Sequence, residues 1–150
     1  MVTDTGITDV HFFSDTFAEL EPAERMTLLD HAQERDFEDK EMIIQQGADN
    51  RNIYVVLEGE VQVELEPTEN RSEPQVLSRL DLGSIFGEMT FLTHAGASAN
   101  VVASGPVKLL CIDHAHLHQM VSEDPGFGSR FYRALAVTLA ERLRESSRKH

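Results

Sequence analysis

The stretch FGEMTFLTHAGASANVVA, residues 86–103, holds the reading on which the fold turns. Gly87-Glu88 opens a short helix-like run of the kind that presents backbone N–H groups to an anion. The run passes through Gly96 into small residues and then into a segment, SANVVA, with strand composition. No arginine or lysine follows before Lys108. The turn has the backbone form of an anion site and lacks the cation.

On either side the hydrophobic period is short. MIIQQG, NIYVVLEGEVQVEL, QVLSRL, SANVVA and VKLLCI are rich in Val, Ile and Tyr and are bounded by Gly, Asn, Asp or Pro, which predicts strands. Gly59, inside the longest run, supplies the positive φ that a hairpin corner needs. Residues 66–75, EPTENRSEPQ, carry two prolines and no large apolar side chain and read as an exposed hairpin loop. Helices are predicted at both ends. Pro22 behind Glu21 opens one over about residues 22–33, Asp113 is placed to cap HAHLHQMV, and Asp124-Pro125 opens a last helix of about 20 residues. Short strands between terminal helices suggest a small antiparallel barrel or jelly roll.

A chain of 150 residues is expected to form one domain, 1–150, and to bury roughly 68–70% of its unfolded surface. Its single cysteine, Cys111, lies in an apolar run and reads as a small buried hydrophobe. The N-terminus has acids and no Lys or Arg, unlike the start of a signal peptide, and no apolar run reaches the roughly 18 residues of a membrane span, so a cytoplasmic location is expected. Residues 1–75 hold 19 acids and 5 bases (−14) and residues 76–150 hold 7 and 8 (+1), which makes the net charge of −13. That balance argues against non-specific nucleic-acid binding. The one basic cluster, Arg142, Arg144, Arg148 and Lys149, suits the negative pole of a helix end.

Taken in order, MIIQQGADNRNIYVVLEGEVQV, LGSIFGEMTFLTHAGASANVVA, LLCIDHAHLHQMVSEDP and ALAVTLAERLR resemble the cyclic nucleotide-binding domain family, which includes catabolite activator-type regulators and kinase regulatory subunits. The resemblance covers about residues 12–148. It implies an eight-stranded antiparallel jelly-roll barrel with an N-terminal helical element and two C-terminal helices. It also implies a phosphate-binding cassette, in which a glutamate accepts a ribose hydroxyl and an arginine holds the phosphate. The ligand-binding positions fall on Phe86, Gly87, Glu88, Met89, Ala97, Ser98 and Ala99. The arginine position is Ala97, so the cassette keeps its frame and loses its fixed charge. A charge-assisted contact of that kind contributes about 1.5–3 kcal/mol, and affinity for cyclic AMP or another cyclic nucleotide is expected to be low. His94, three residues before Ala97, is the one nearby side chain able to restore part of the charge.

Other chemistries find little support. His114, His116 and His118 would share a face on a strand, but as helix they leave only His114 and His118 together on a solvated face, a poor zinc site. Ser98 has no paired histidine, no GxSxG or P-loop pattern occurs, and strand segments 42–65 hold no histidine for a cupin-type metal, so no enzymatic role is expected.

Phe127, Phe131, Leu135, Leu139 and Leu143 make an apolar stripe on the last helix. It packs on the chain's own core or, as the resemblance implies, forms a homodimer seam. Ser146 and Ser147 fall where the resemblance places hydroxyls for a purine. In the family's transcriptional activators a helix-turn-helix domain follows this helix, whereas this chain ends at His150, so direct DNA binding is not expected. Two functions follow: a non-enzymatic sensor with weak or altered ligand binding, or a degenerate scaffold that contacts an unidentified protein partner without any nucleotide response.

Overall fold

The structure, a computed structural model, describes residues 17–148. The signal-peptide reading of the first residues, Lys149 of the basic cluster and the side chains of Ser146 and Arg148 lie outside the described residues. The chain divides into two compact units: residues 32–114, which hold the sheet, and a helical unit built from the segment up to His31 and from Ala115 onward.

The sheet unit consists of β1 (Gln33–Phe37), β2 (Met42–Ile44), β3 (Asn52–Leu65), β4 (Gln75–Leu80), β5 (Ile85–Phe86), the short helix α2 (Glu88–Thr93) and β6 (Asn100–Asp113). All pairings are antiparallel, in the order β1-β6-β3-β4, with β2 added to β6 and β5 to β3. Among the described residues this is an open sheet of six strands, not a closed barrel of eight. The difference lies in two long strands. β3 and β6 pair from Asn52↔Asp113 to Glu64↔Asn100, and the register shifts around Glu58. Gly59 has φ +88°, as expected, but it makes no hairpin corner; the strand bends and continues. A Cβ at Gly59 would stand 2.4 Å from the Pro106 carbonyl oxygen, so the opposite strand crowds the bend. SANVVA and VKLLCI are likewise the two ends of β6, joined through Ser104-Gly105-Pro106.

One face of the sheet gathers Phe37, Ile44, Tyr54, Val56, Val61, Leu80, Phe86, Ala97, Val101, Ala103, Val107, Leu109 and Cys111 into an apolar cluster. Ile53, Val55 and Leu57 alternate with these along β3 and are buried as well, which explains why the run reads as continuous rather than alternating. The 66–75 loop is a hairpin connection as predicted. It braces itself through Thr68 and Arg71, whose guanidinium donates to the carbonyls of Glu66 (2.8 Å) and Glu73 (3.1 Å).

The helical unit holds α1 (Pro22–His31), α3 (His114–Glu123) from Ala115 onward and α4 (Pro125–Arg148). Pro22 takes the first helical position of α1, and the Glu24 carboxylate accepts from the Glu21 N–H at 2.9 Å, half of a capping box. The helix stops at His31 rather than near 33, because β1 already pairs Gln33 with Cys111. Asp124 caps α4 as expected, accepting from the N–H groups of Gly126 (3.0 Å) and Phe127 (3.2 Å). Phe127 stacks on Phe131 (5.4 Å between centroids), and Phe131 on Phe17 (5.9 Å). Arg25 is buried, and its guanidinium donates to the carbonyls of Phe17 and Leu20, tying off the turn before α1. Among the described residues no helix is long and apolar enough to cross a membrane.

The α1–α4 contact carries a two-pronged ion pair. Arg130 donates to Glu24 through Nε (2.9 Å) and Nη2 (2.5 Å). This contact holds the Glu24 carboxyl below its ordinary range. A carboxyl depressed in the folded state stabilises the fold above its unfolded pKa and loses that contribution as pH falls through the folded value. Thermal melts should therefore show Arg130→Met lowering Tm at pH 6, with the gap to the parent shrinking as pH is taken below about 4. A gap that is constant between pH 6 and pH 3 would assign the arginine a packing role only.

Candidate functional site

The segment expected to form the cassette is α2 with the turns on either side of it. Gly87 precedes the helix in the left-handed region (φ +87°), and a Cβ there would meet the Asn52 carbonyl oxygen at 2.5 Å. Glycine is required at this position by close packing on the start of β3, whatever binds above it. Asn50, a residue whose importance the sequence does not reveal, clasps the same corner. Its buried side-chain amide donates to Asn52 O (2.8 Å), Thr90 Oγ1 (3.0 Å) and Gly87 O (3.3 Å), and its Oδ1 accepts from the Asn52 N–H. Thr90 Oγ1 in turn donates to Gly87 O at 3.2 Å. The helix therefore starts at one fixed place against β3.

The expected site residues fall into three groups. Phe86, on β5, is buried and stacked on Tyr54 at 4.9 Å, so it serves the apolar cluster. Glu88 is only 3% exposed, a buried carboxylate in the first turn of α2, while Met89 beside it is 43% exposed. Ala97 and Ala99 are buried and Ser98 between them is exposed. Ala97 belongs to the apolar cluster, and its backbone is committed: its N–H donates to Ala48 O (2.9 Å) and its carbonyl accepts from the Gly47 N–H (2.8 Å). The adjoining Gly96 would place a Cβ 2.6 Å from Gly47 O, and Asn100 Oδ1 accepts from the Gln46 N–H at 2.6 Å. The segment to which the family resemblance assigns the phosphate cation is thus zipped to the β2–β3 turn, with a methyl group facing the core. His94 ends α2 in the left-handed region (φ 61°) and is exposed.

Residues set aside in the sequence also find their places. His114 is buried with its ring edge-on to Phe91 at 5.3 Å, which corrects the solvated-face reading. His116 stacks on His31 at 4.0 Å. Cys111 is buried, and burial pushes its thiol up to about 11, so it stays neutral at physiological pH and is a poor nucleophile.

The architecture is thus an antiparallel sheet with a glycine-opened helical turn fixed against one of its two fourteen-residue strands. The chain belongs to the cyclic nucleotide-binding domain family: residues 34–124 match that family. Cyclic GMP-binding protein D of Dictyostelium discoideum is 40% identical over 70 residues, 46% of this chain and 5% of that protein. The cAMP-dependent protein kinase regulatory subunit of the same organism is 31% identical over 98 residues, 65% of this chain and 30% of that one. The chain thus spans less than a third of the length of either relative. A cyclic nucleotide-binding domain from Methylobacillus flagellatus, known by crystal structure, superposes with a TM-score of 0.83 at 21% identity, covering 93% of this chain and 81% of that one.

Removal of the Asn50 clasp would leave buried acceptors on Gly87 and Thr90 without their shared donor. Asn50→Ala should lower unfolding free energy by about 1–3 kcal/mol, read from the urea midpoint at unchanged slope. A loss below about 0.5 kcal/mol would mean that water or another side chain replaces the amide.

Proposed function

We propose that the chain is a regulatory, non-catalytic sensor domain with weak affinity for cyclic nucleotides, a small ligand at the cassette being reported to a protein partner through the final helix. The observation that carries this reading is the mismatch inside the cassette. Gly87 opens α2 in the left-handed region and Glu88 is buried in its first turn, at the positions the family resemblance gives the ligand-binding frame, whereas at the position it gives the arginine Ala97 is a buried methyl. The names of the two Dictyostelium relatives support a cyclic nucleotide as the ligand class of that frame.

Ala97→Arg tests the reading. The guanidinium would enter an apolar cluster in the free protein, so the variant should melt below the parent. With cyclic AMP, its charge-assisted contact should contribute about 1.5–3 kcal/mol, or roughly ten- to a hundredfold in Kd by calorimetry. A variant that folds and binds cyclic AMP no better than the parent would favour the second reading, a scaffold that meets a protein partner without nucleotide. One observation already favours that alternative: the packing of Gly87 on Asn52 O explains the glycine with no ligand.

The same helix offers a contact surface for a second copy. Phe127, Phe131 and Leu135 are buried within the chain and cannot form a seam, which leaves half-buried Leu139 and Leu143, 70% exposed, as the free end of the stripe. A homodimer would therefore join through residues 139–147 rather than 127–147. Light scattering at tens of micromolar should give a dimer mass for the parent and a monomer mass for Leu143→Glu; equal masses would remove the dimer.

A further inference from the structure

The β1–β2 turn and the bend shared by β3 and β6 enclose a groove of about 580 Å³ on the sheet unit, to which α2 contributes no residue. Phe37, Pro106 and Val107 make its apolar floor, and the carboxylates of Asp36, Glu38, Asp39, Glu41 and Glu58 surround it. Lys108 is the one cation among the lining residues, and it is shared. Its Nζ stands 3.9 Å from Glu34 and 3.9 Å from Glu58, and the residue lies opposite Asp36 across the ladder. The lining therefore carries five acids against one base, a net −4, within a unit whose 15 acids and 6 bases over residues 32–114 give −9. Glu41 Oε1 accepts from the Glu38 N–H (2.9 Å) and Asp39 Oδ1 from the Gly105 N–H (2.6 Å), so the turn that carries the rim is fixed on the bend. Among the described residues no three acids, histidines or cysteines stand together as a metal site. Spread carboxylates over an apolar floor suit an extended surface with a cation beside an apolar side chain.

The chain itself carries a segment of that character. Leu143 on α4 is 70% exposed, Arg144 beside it is exposed as well, and residues 139–150 hold 4 basic and 2 acidic side chains, a net +2. We propose that the end of α4 of one copy docks in this groove of a second copy, with Leu143 on the apolar floor and Arg144 at the carboxylate rim. This deepens the reading of α4 as a dimer contact and rests on it. Charge decides between the two ways of making that contact. Two α4 ends laid side by side would set +2 against +2, whereas the groove sets +2 against −4. Each copy carries both surfaces, so reciprocal docking ends at two copies.

Analytical sedimentation of the full chain separates the outcomes. The dimer dissociation constant should rise about tenfold or more as ionic strength goes from ~0.05 to ~0.5 M, because salt screens the charges that meet in the groove. Glu38→Lys and Arg144→Glu should each raise it about tenfold or more. A chain carrying both substitutions should return to within about threefold of the parent, since the two charges are exchanged rather than lost. Both side chains are exposed, and a melt checks each fold; Glu58→Lys, also at an exposed position, takes the place of Glu38→Lys if that chain does not fold. A dimer indifferent to salt, a groove variant as dimeric as the parent, or a double variant whose loss is the sum of the single losses overturns the groove and leaves a helix-on-helix dimer standing. A parent that is monomeric at tens of micromolar in both salt conditions overturns the groove and the dimer together.

Discussion

Every strand in the sheet pairs with β3 or β6, so the ladder between those two strands is the constraint on which the sheet depends. Both are fourteen residues long, and a pair of that length must bend to bury one face on itself. The bend falls at Gly59 on one strand and Gly105-Pro106 on the other, where positive φ is available on both sides and the Pro106 carbonyl closes over a position that tolerates no Cβ. Pro106 has no N–H to contribute to the ladder, which suits it to the place where pairing is interrupted. From this shared bend follow the apolar cluster on one face, the start of β3 at Asn52 and the landing place of α2.

The cassette inherits its geometry from that ladder rather than from a ligand. Asn52 begins β3, and its carbonyl both receives Asn50 and forbids a side chain at Gly87. Gly47, Ala48 and Gln46 in the preceding turn hold Ala97 and Asn100 through hydrogen bonds to both. Two loops far apart in sequence thus close on each other before any small molecule is present. Backbone placed in this way beforehand costs little to order on binding.

Much of the architecture is legible in the sequence, since continuous Val/Ile runs with Gly and Pro boundaries mark strands and Asp124-Pro125 marks a helix start with a known mechanism. What escapes is set by distant partners. Gly59 reads as a hairpin corner because positive φ is all that local sequence shows; only the approach of Pro106, 47 residues later, makes it a bend within one strand. Asn50 reads as an ordinary turn residue, because its partners Gly87 and Thr90 lie 37 and 40 residues away. His114 looks solvated on a helical wheel and is buried by Phe91. That residues 86–107 hold no arginine or lysine, by contrast, is visible in the sequence alone, while the commitment of the Ala97 N–H to Ala48 needs the structure.

The final helix joins a fixed end to a free one. Phe127 and Phe131 are locked in a ring stack with Phe17, and Arg130 on the adjoining face is held by both oxygens of Glu24, so the first two turns cannot rotate independently of α1. Leu143 lies twelve residues beyond Phe131 on the same continuous helix, about 18 Å along the axis at 1.5 Å per residue. No proline or glycine interrupts the segment between them. A tilt of the buried turns would therefore reach the exposed Leu143 as a displacement amplified by the length of the lever. The buried half of the stripe is fixed by packing and the exposed half stands outside it, and the stiffness of an unbroken helix connects the two.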